Sequence, residues 1–244
     1  MGNWVAVGRH VGLASLAGVV SGLLVGGVLG RIVMRISGFA AGPTMVGVHT
    51  SNGNRVGDIT FAGTLGLVLF VGLGAGLAGG VVYGVLEPWL RRLRPWHGLA
   101  YGSALLATFG FTVLDPSNFD FSRFGPLSLN IAMFGALFVL FGVSTAWLFD
   151  HLQALAARPG RIGRGVELAA WLALGLSLLF SALLIVGAAA DDRLFALAIA
   201  GALVLAAIAH WQGLPRLVGY ACLAAVLVLG TLRTFDSVQL FRGF

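Results

Sequence analysis

Arg31 and Arg35 stand four residues apart, so on a helix both guanidinium groups leave one face. A guanidinium fork holds a phosphate or carboxylate through two donors, which makes the pair a candidate anion or lipid-headgroup site. Asp115, Asp120 and Arg123 lie in the loop 114–126, which the order of apolar segments brings to the same surface. There the two carboxylates would neutralise or gate the arginines. The same residues also fit a plainer role, with arginines at the edge of the hydrocarbon reaching headgroups and pairing with loop carboxylates. The second chemical group is imidazole. His10, His97, His151 and His210 fall at segment ends on the opposite side, a set of potential axial haem or metal ligands. No HExxH or closely spaced histidine pair supports this, and Trp96-His97 and His210-Trp211 read as headgroup anchors. Haem and metal are therefore not expected.

Catalytic templates are missing. There is no Gly-x-Ser-x-Gly elbow, no P-loop and no acidic pair beyond Asp191-Asp192, which reads as a polar turn. The chain has no lysine, so a retinal Schiff base is excluded. The single Cys222 leaves no partner for an intrachain disulfide or a thiolate cluster. No centre of an apolar segment carries Asp, Glu, Lys, Arg or His, so a proton relay lacks its usual parts. No catalytic residue is expected.

The elements that position these residues follow from hydropathy. The chain has 244 residues, of which 58% are hydrophobic and 10% charged, and its mean hydropathy is +0.96. A soluble domain carries roughly 25% charge, so most of this surface is expected to face lipid. The pattern predicts an all-α integral membrane protein with about seven transmembrane helices. The spans are placed at 11–36, 60–86, 98–114, 126–149, 166–190, 194–209 and 214–232. The first is read as a retained helix, since no short apolar core followed by a small-residue cleavage site is present. Proline is expected to stop the second at Glu87-Pro88 and the third at Asp115-Pro116. A Gly-rich four-helix unit, 1–150, precedes a Leu- and Ala-rich three-helix unit, 151–244, within one membrane domain.

The net charge of +6 does not indicate nucleic acid, because the arginines sit between apolar segments and not in a solvated arm. The densest clusters, Arg91 to Arg94 and Arg158 to Arg164, share one side. Trp4, Trp89, Trp96, Trp147, Trp171 and Trp211 fall near that same face, where indoles belong at headgroup level. The expected topology puts the N-terminus in the cytoplasm and the C-terminus outside, in a bacterial inner (plasma) membrane.

The strongest packing signal is glycine. Gly18, Gly22, Gly26 and Gly30 recur at four-residue spacing in the first span, and Gly72, Gly76, Gly80 and Gly84 in the second. Such rows let backbones approach closely where lipid provides no hydrophobic drive. They serve packing within one protomer, an outward face for a second copy or another membrane subunit, or a hinge. With dry span centres, the leading expectation is an accessory or scaffold subunit of a membrane assembly that works by association with lipids and membrane subunits. The alternative is a channel or transporter for a small anionic solute, with Arg31 and Arg35 at its outer mouth.

Overall fold

The computed structural model describes residues 2–45, 47–49, 61–114, 123–191, 201 and 216–240. Among them the chain is helical, with no strand. Helix α1 covers 2–40 and α2 covers 61–90. Helices α3 (His97–Phe109), α4 (Leu127–Ala156), α5 (Arg161–Asp191) and α6 (Arg216–Leu240) follow. Four stretches, Trp4–Ala40, Gly63–Thr112, Leu127–Ala156 and Arg161–Leu183, are long and apolar enough to cross a membrane. The second contains both α2 and α3. The expected sixth span, 194–209, and His210 lie outside the described residues.

Most helices outrun the spans read from hydropathy, whereas α3 ends at Phe109, short of the expected 114. Helix α4 continues past Phe149 to Ala156, α5 starts at Arg161 and α6 reaches Leu240. Hydropathy marks only the length a hydrocarbon layer would cover, whereas helix continues wherever backbone bonds do. The 37 residues of Trp4–Ala40 extend about 55 Å at roughly 1.5 Å per residue, well beyond a hydrocarbon core of about 30 Å.

Pro88 does not stop α2, contrary to expectation. The helix passes through it to Leu90, since near a C-terminus proline forfeits only one backbone bond. The Arg91 N–H still reaches the Glu87 carbonyl. The real break is at Arg94, whose φ of 51° and ψ of −122° lie where glycine is at ease and a side chain is not. Pro95 follows and α3 begins. Arg94→Gly is expected to relieve this strain and stabilise the fold by about 1 kcal/mol, measured as a higher melting temperature in detergent.

Helix α1 is the hub. It packs against α2, α4 and α5, and its inner residues Leu13, Ala14 and Ala17 are fully enclosed. The two glycine rows lie against each other along α1 and α2. A Cβ on Gly18 would stand 2.5 Å from Gly80 Cα, and one on Gly22 would stand 2.7 Å from Gly76 Cα. From Gly76 the distance to the Gly18 carbonyl oxygen is 2.6 Å, and from Gly80 to Ser15 Cα it is also 2.6 Å. The fit loosens in one direction, with 3.4 Å at Gly26 and 3.8 Å at Gly30. Both helices are π-helical here, over Gly22–Leu29 and Leu67–Gly74, stretches that hold the close Gly22–Gly72 contact as well as the looser part beyond it.

Helix α5 places Ala170, Ala173 and Ser177 inward and Leu168, Leu172, Leu176, Leu179 and Leu183 outward. Small residues inside with leucine outside reverse the order found in water-soluble helices. Helix α6 is joined to α3. The Thr234 hydroxyl donates to the Ala107 carbonyl at 3.0 Å and accepts from the Phe111 N–H at 3.2 Å. Thr234→Val should cost about 1–2 kcal/mol through these two bonds, whereas Thr234→Ser keeps both. Thermal unfolding of the two variants separates the cases.

Candidate functional site

Two ends of the bundle carry polar chemistry, one around Arg35 and one around Arg91. At the Arg35 end, α1 finishes beside the start of α4. Ser37 Oγ and Asn130 Nδ2 both donate to the Phe124 carbonyl at 2.7 Å. Gly125, at φ +86°, lies so close to the Ser37 carbonyl that a Cβ would stand 2.9 Å from it. Left-handed backbone and tight approach together require glycine here. This clamp brings Arg123 to the end of α1 that carries Arg31 and Arg35. Arg35 is exposed, with its guanidinium 5.3 Å from the centre of the Phe39 ring, and Arg123 lies 5.8 Å from that of Phe124. Asp115 and Asp120, expected to complete the cluster, fall outside the described residues.

The Arg91 end holds the denser arrangement, of which only the histidines were singled out from the sequence, as potential haem or metal ligands. Glu87, read there as a helix stop, is an internal residue of α2 with its side chain 5% exposed. One carboxylate oxygen accepts from Arg91 Nε, one helical turn further on. The other stands 3.5 Å from His10 Nε2 on α1. Arg91 Nη2 reaches outward to Asp150 Oδ1 and Gln153 Oε1 on α4, each at 3.2 Å. His97 Nε2, at the start of α3, lies 3.8 Å from Asp150 Oδ2. Arg9 Nε meets Glu167 Oε1 at 2.8 Å, which ties α1 to α5. Ionisable groups from five helices thus converge on one end. Burying a carboxylate among apolar helices is tolerable only with such partners.

Above Glu87 lies a layer of rings. His10 stands edge-on to Phe149 at 5.1 Å, Phe149 to Tyr83 at 5.5 Å, and Tyr83 to Tyr101 at 5.0 Å. The Tyr101 hydroxyl donates to the Gly79 carbonyl at 2.5 Å. The hydroxyls of Tyr83, Thr145 and Ser15 are fully buried and make no hydrogen bond.

The histidines separate once placed. His10 and His97 face carboxylates, while His151 Nδ1 turns to the Trp147 carbonyl at 2.8 Å. Among the described residues no group of three His, Cys, Asp or Glu is placed to hold a metal ion. Besides these histidines, the sequence hints at this site through the i,i+4 pair Glu87 and Arg91. Compared with protein-family models, with curated proteins and with solved structures, the chain matches none.

Proposed function

We propose that this chain is a multi-pass membrane protein that works by association, as an accessory or scaffold subunit of a membrane assembly. The observation that supports this best is the inverted layering of α5, with small residues packed inward and a long leucine face outward. Such a face meets lipid or another helix. The backbone contact between α1 and α2 supports the same reading, since it leaves no room for a solute between them at Gly18, Gly22, Gly76 and Gly80. Because those glycines are occupied within the chain, the leucine face of α5 is the surface proposed to receive a partner. The bacterial inner membrane and a cytoplasmic N-terminus belong to the same proposal.

The experiment is purification from native membranes in a mild detergent, followed by mass measurement of the complex. The expected result is a particle heavier than the 25.3 kDa chain that retains a second polypeptide and loses it on Leu172→Trp with Leu179→Trp. Recovery of the wild-type chain as a lone monomer overturns the reading. The transport alternative draws on one feature, the divergence of α1 from α2 beyond Gly26 toward Arg31. Anion flux into proteoliposomes that is lost with Arg31→Ala and Arg35→Ala would favour it instead.

A further inference from the structure

The bond that ties α4 to the buried carboxylate is uneven along its length. The inner half joins Glu87 on α2 to Arg91 just past its end, one turn on, and makes no use of α4. The outer half is two contacts of 3.2 Å from Arg91 to Asp150 and Gln153. Its side chains are open to solvent, 56% for Arg91 and 49% for Asp150. Exposed pairs of this kind contribute little and weaken with salt. This outer half is therefore where α4 parts from α2 at least cost, without leaving Glu87 unpaired.

Phe149 precedes Asp150 and is fully buried against His10 and Tyr83. Thr145 lies one turn earlier on the same face of α4. The hydroxyls of Tyr83 and Thr145, together with Ser15, are buried without hydrogen-bond partners. A hydroxyl enclosed in apolar surroundings without a partner is costly, so the packed state carries a penalty that contact with water would remove. Farther along, the contact of Gly18 with Gly76 and Gly80 closes the bundle.

We propose that Arg91, Asp150 and Gln153 form an electrostatic gate over the buried hydroxyls of Tyr83, Thr145 and Ser15, and that opening creates a blind polar pocket around them. Opening swings Phe149 away and admits water from the Arg91 end as far as the glycine contact. The pocket takes water and does not cross the bundle, so the gate stands independently of the association reading.

The test uses Thr145→Cys as a reporter in a Cys222→Ser background, labelled in detergent with a charged, water-soluble maleimide. Asp150→Ala removes the α4 side of the gate and leaves Arg91 on Glu87. It is expected to accelerate labelling at position 145 about two- to fivefold, the range an exposed pair supplies. Ala17→Cys, fully buried on α1, reports on general loosening and should stay unreactive. Equal labelling at both positions, or no acceleration at 145, overturns the gate. If Asp150→Ala does not fold, raising salt from 0.1 to 1 M with Asp150 intact is the deciding arm. Faster labelling at 145 alone supports the gate, and an unchanged rate overturns it.

Discussion

Gly22→Ala is expected to be among the most damaging single-methyl changes in this protein, and Gly30→Ala among the mildest in the same row. The difference is purely geometric. At Gly22 an added Cβ runs into the Gly72 carbonyl oxygen and stands 2.7 Å from Gly76 Cα, both backbone atoms of the facing helix. Backbone cannot rotate aside as a side chain does, so the two helices must separate. At Gly30 the nearest foreign atom is the flexible Leu67 side chain at 3.8 Å, an ordinary contact. Overpacking a well-filled interface costs about 1–3 kcal/mol, more where nothing yields. Gly18, Gly76 and Gly80 belong with Gly22, whereas Gly26, at 3.4 Å, belongs nearer Gly30. Melting temperatures of the alanine variants in one detergent should follow that order. A flat profile along the row would show that α1 and α2 do not meet through it.

This graded contact shows which part of the fold was legible beforehand. Four-residue spacing is a local property, so both rows and their faces could be read directly. The loosening toward Gly30 could not, because it depends on the angle at which two helices cross. Pro88 failed as a boundary for a related reason. Its effect is confined to one bond and one neighbouring carbonyl, and a helix about to end absorbs that. Arg94, which does break the chain, carries no residue signal except the proline after it.

The site was less legible still. Each of Arg9, Glu87, Asp150 and Glu167 sits near a helix end, where a lone charge reads as a side chain reaching for water. Their convergence depends on α1 lying between α2, α4 and α5, which no local pattern encodes. The histidines illustrate the same limit. All four were assigned to one end, yet sequence could not distinguish His10, against Glu87, from His151, turned to its own helix.

Glu87→Ala is expected to destabilise the fold by about 1–2 kcal/mol, below the range for breaking a fully buried ion pair, because the Arg91 left behind is 56% exposed. The loss combines the missing bonds with the buried position that the carboxylate side chain filled. Arg91 Nε would be left without its inner acceptor, and His10 would face an apolar wall. Replacing both partners removes that imbalance. Glu87→Leu with Arg91→Met should therefore cost clearly less than Glu87→Ala alone, because leucine refills the buried position beside Tyr83, Phe149 and Leu86 and methionine suits the half-exposed position 91. The double variant also cuts the tie to Asp150 and Gln153, so it should recover stability while leaving the Arg91 end unlatched. Thermal unfolding reads the first property and labelling of Thr145→Cys the second. A double variant as unstable as Glu87→Ala would mean that the charges do more than offset their own burial. A double variant that is stable and stays closed would mean that ring packing, not Arg91, holds α4 in place.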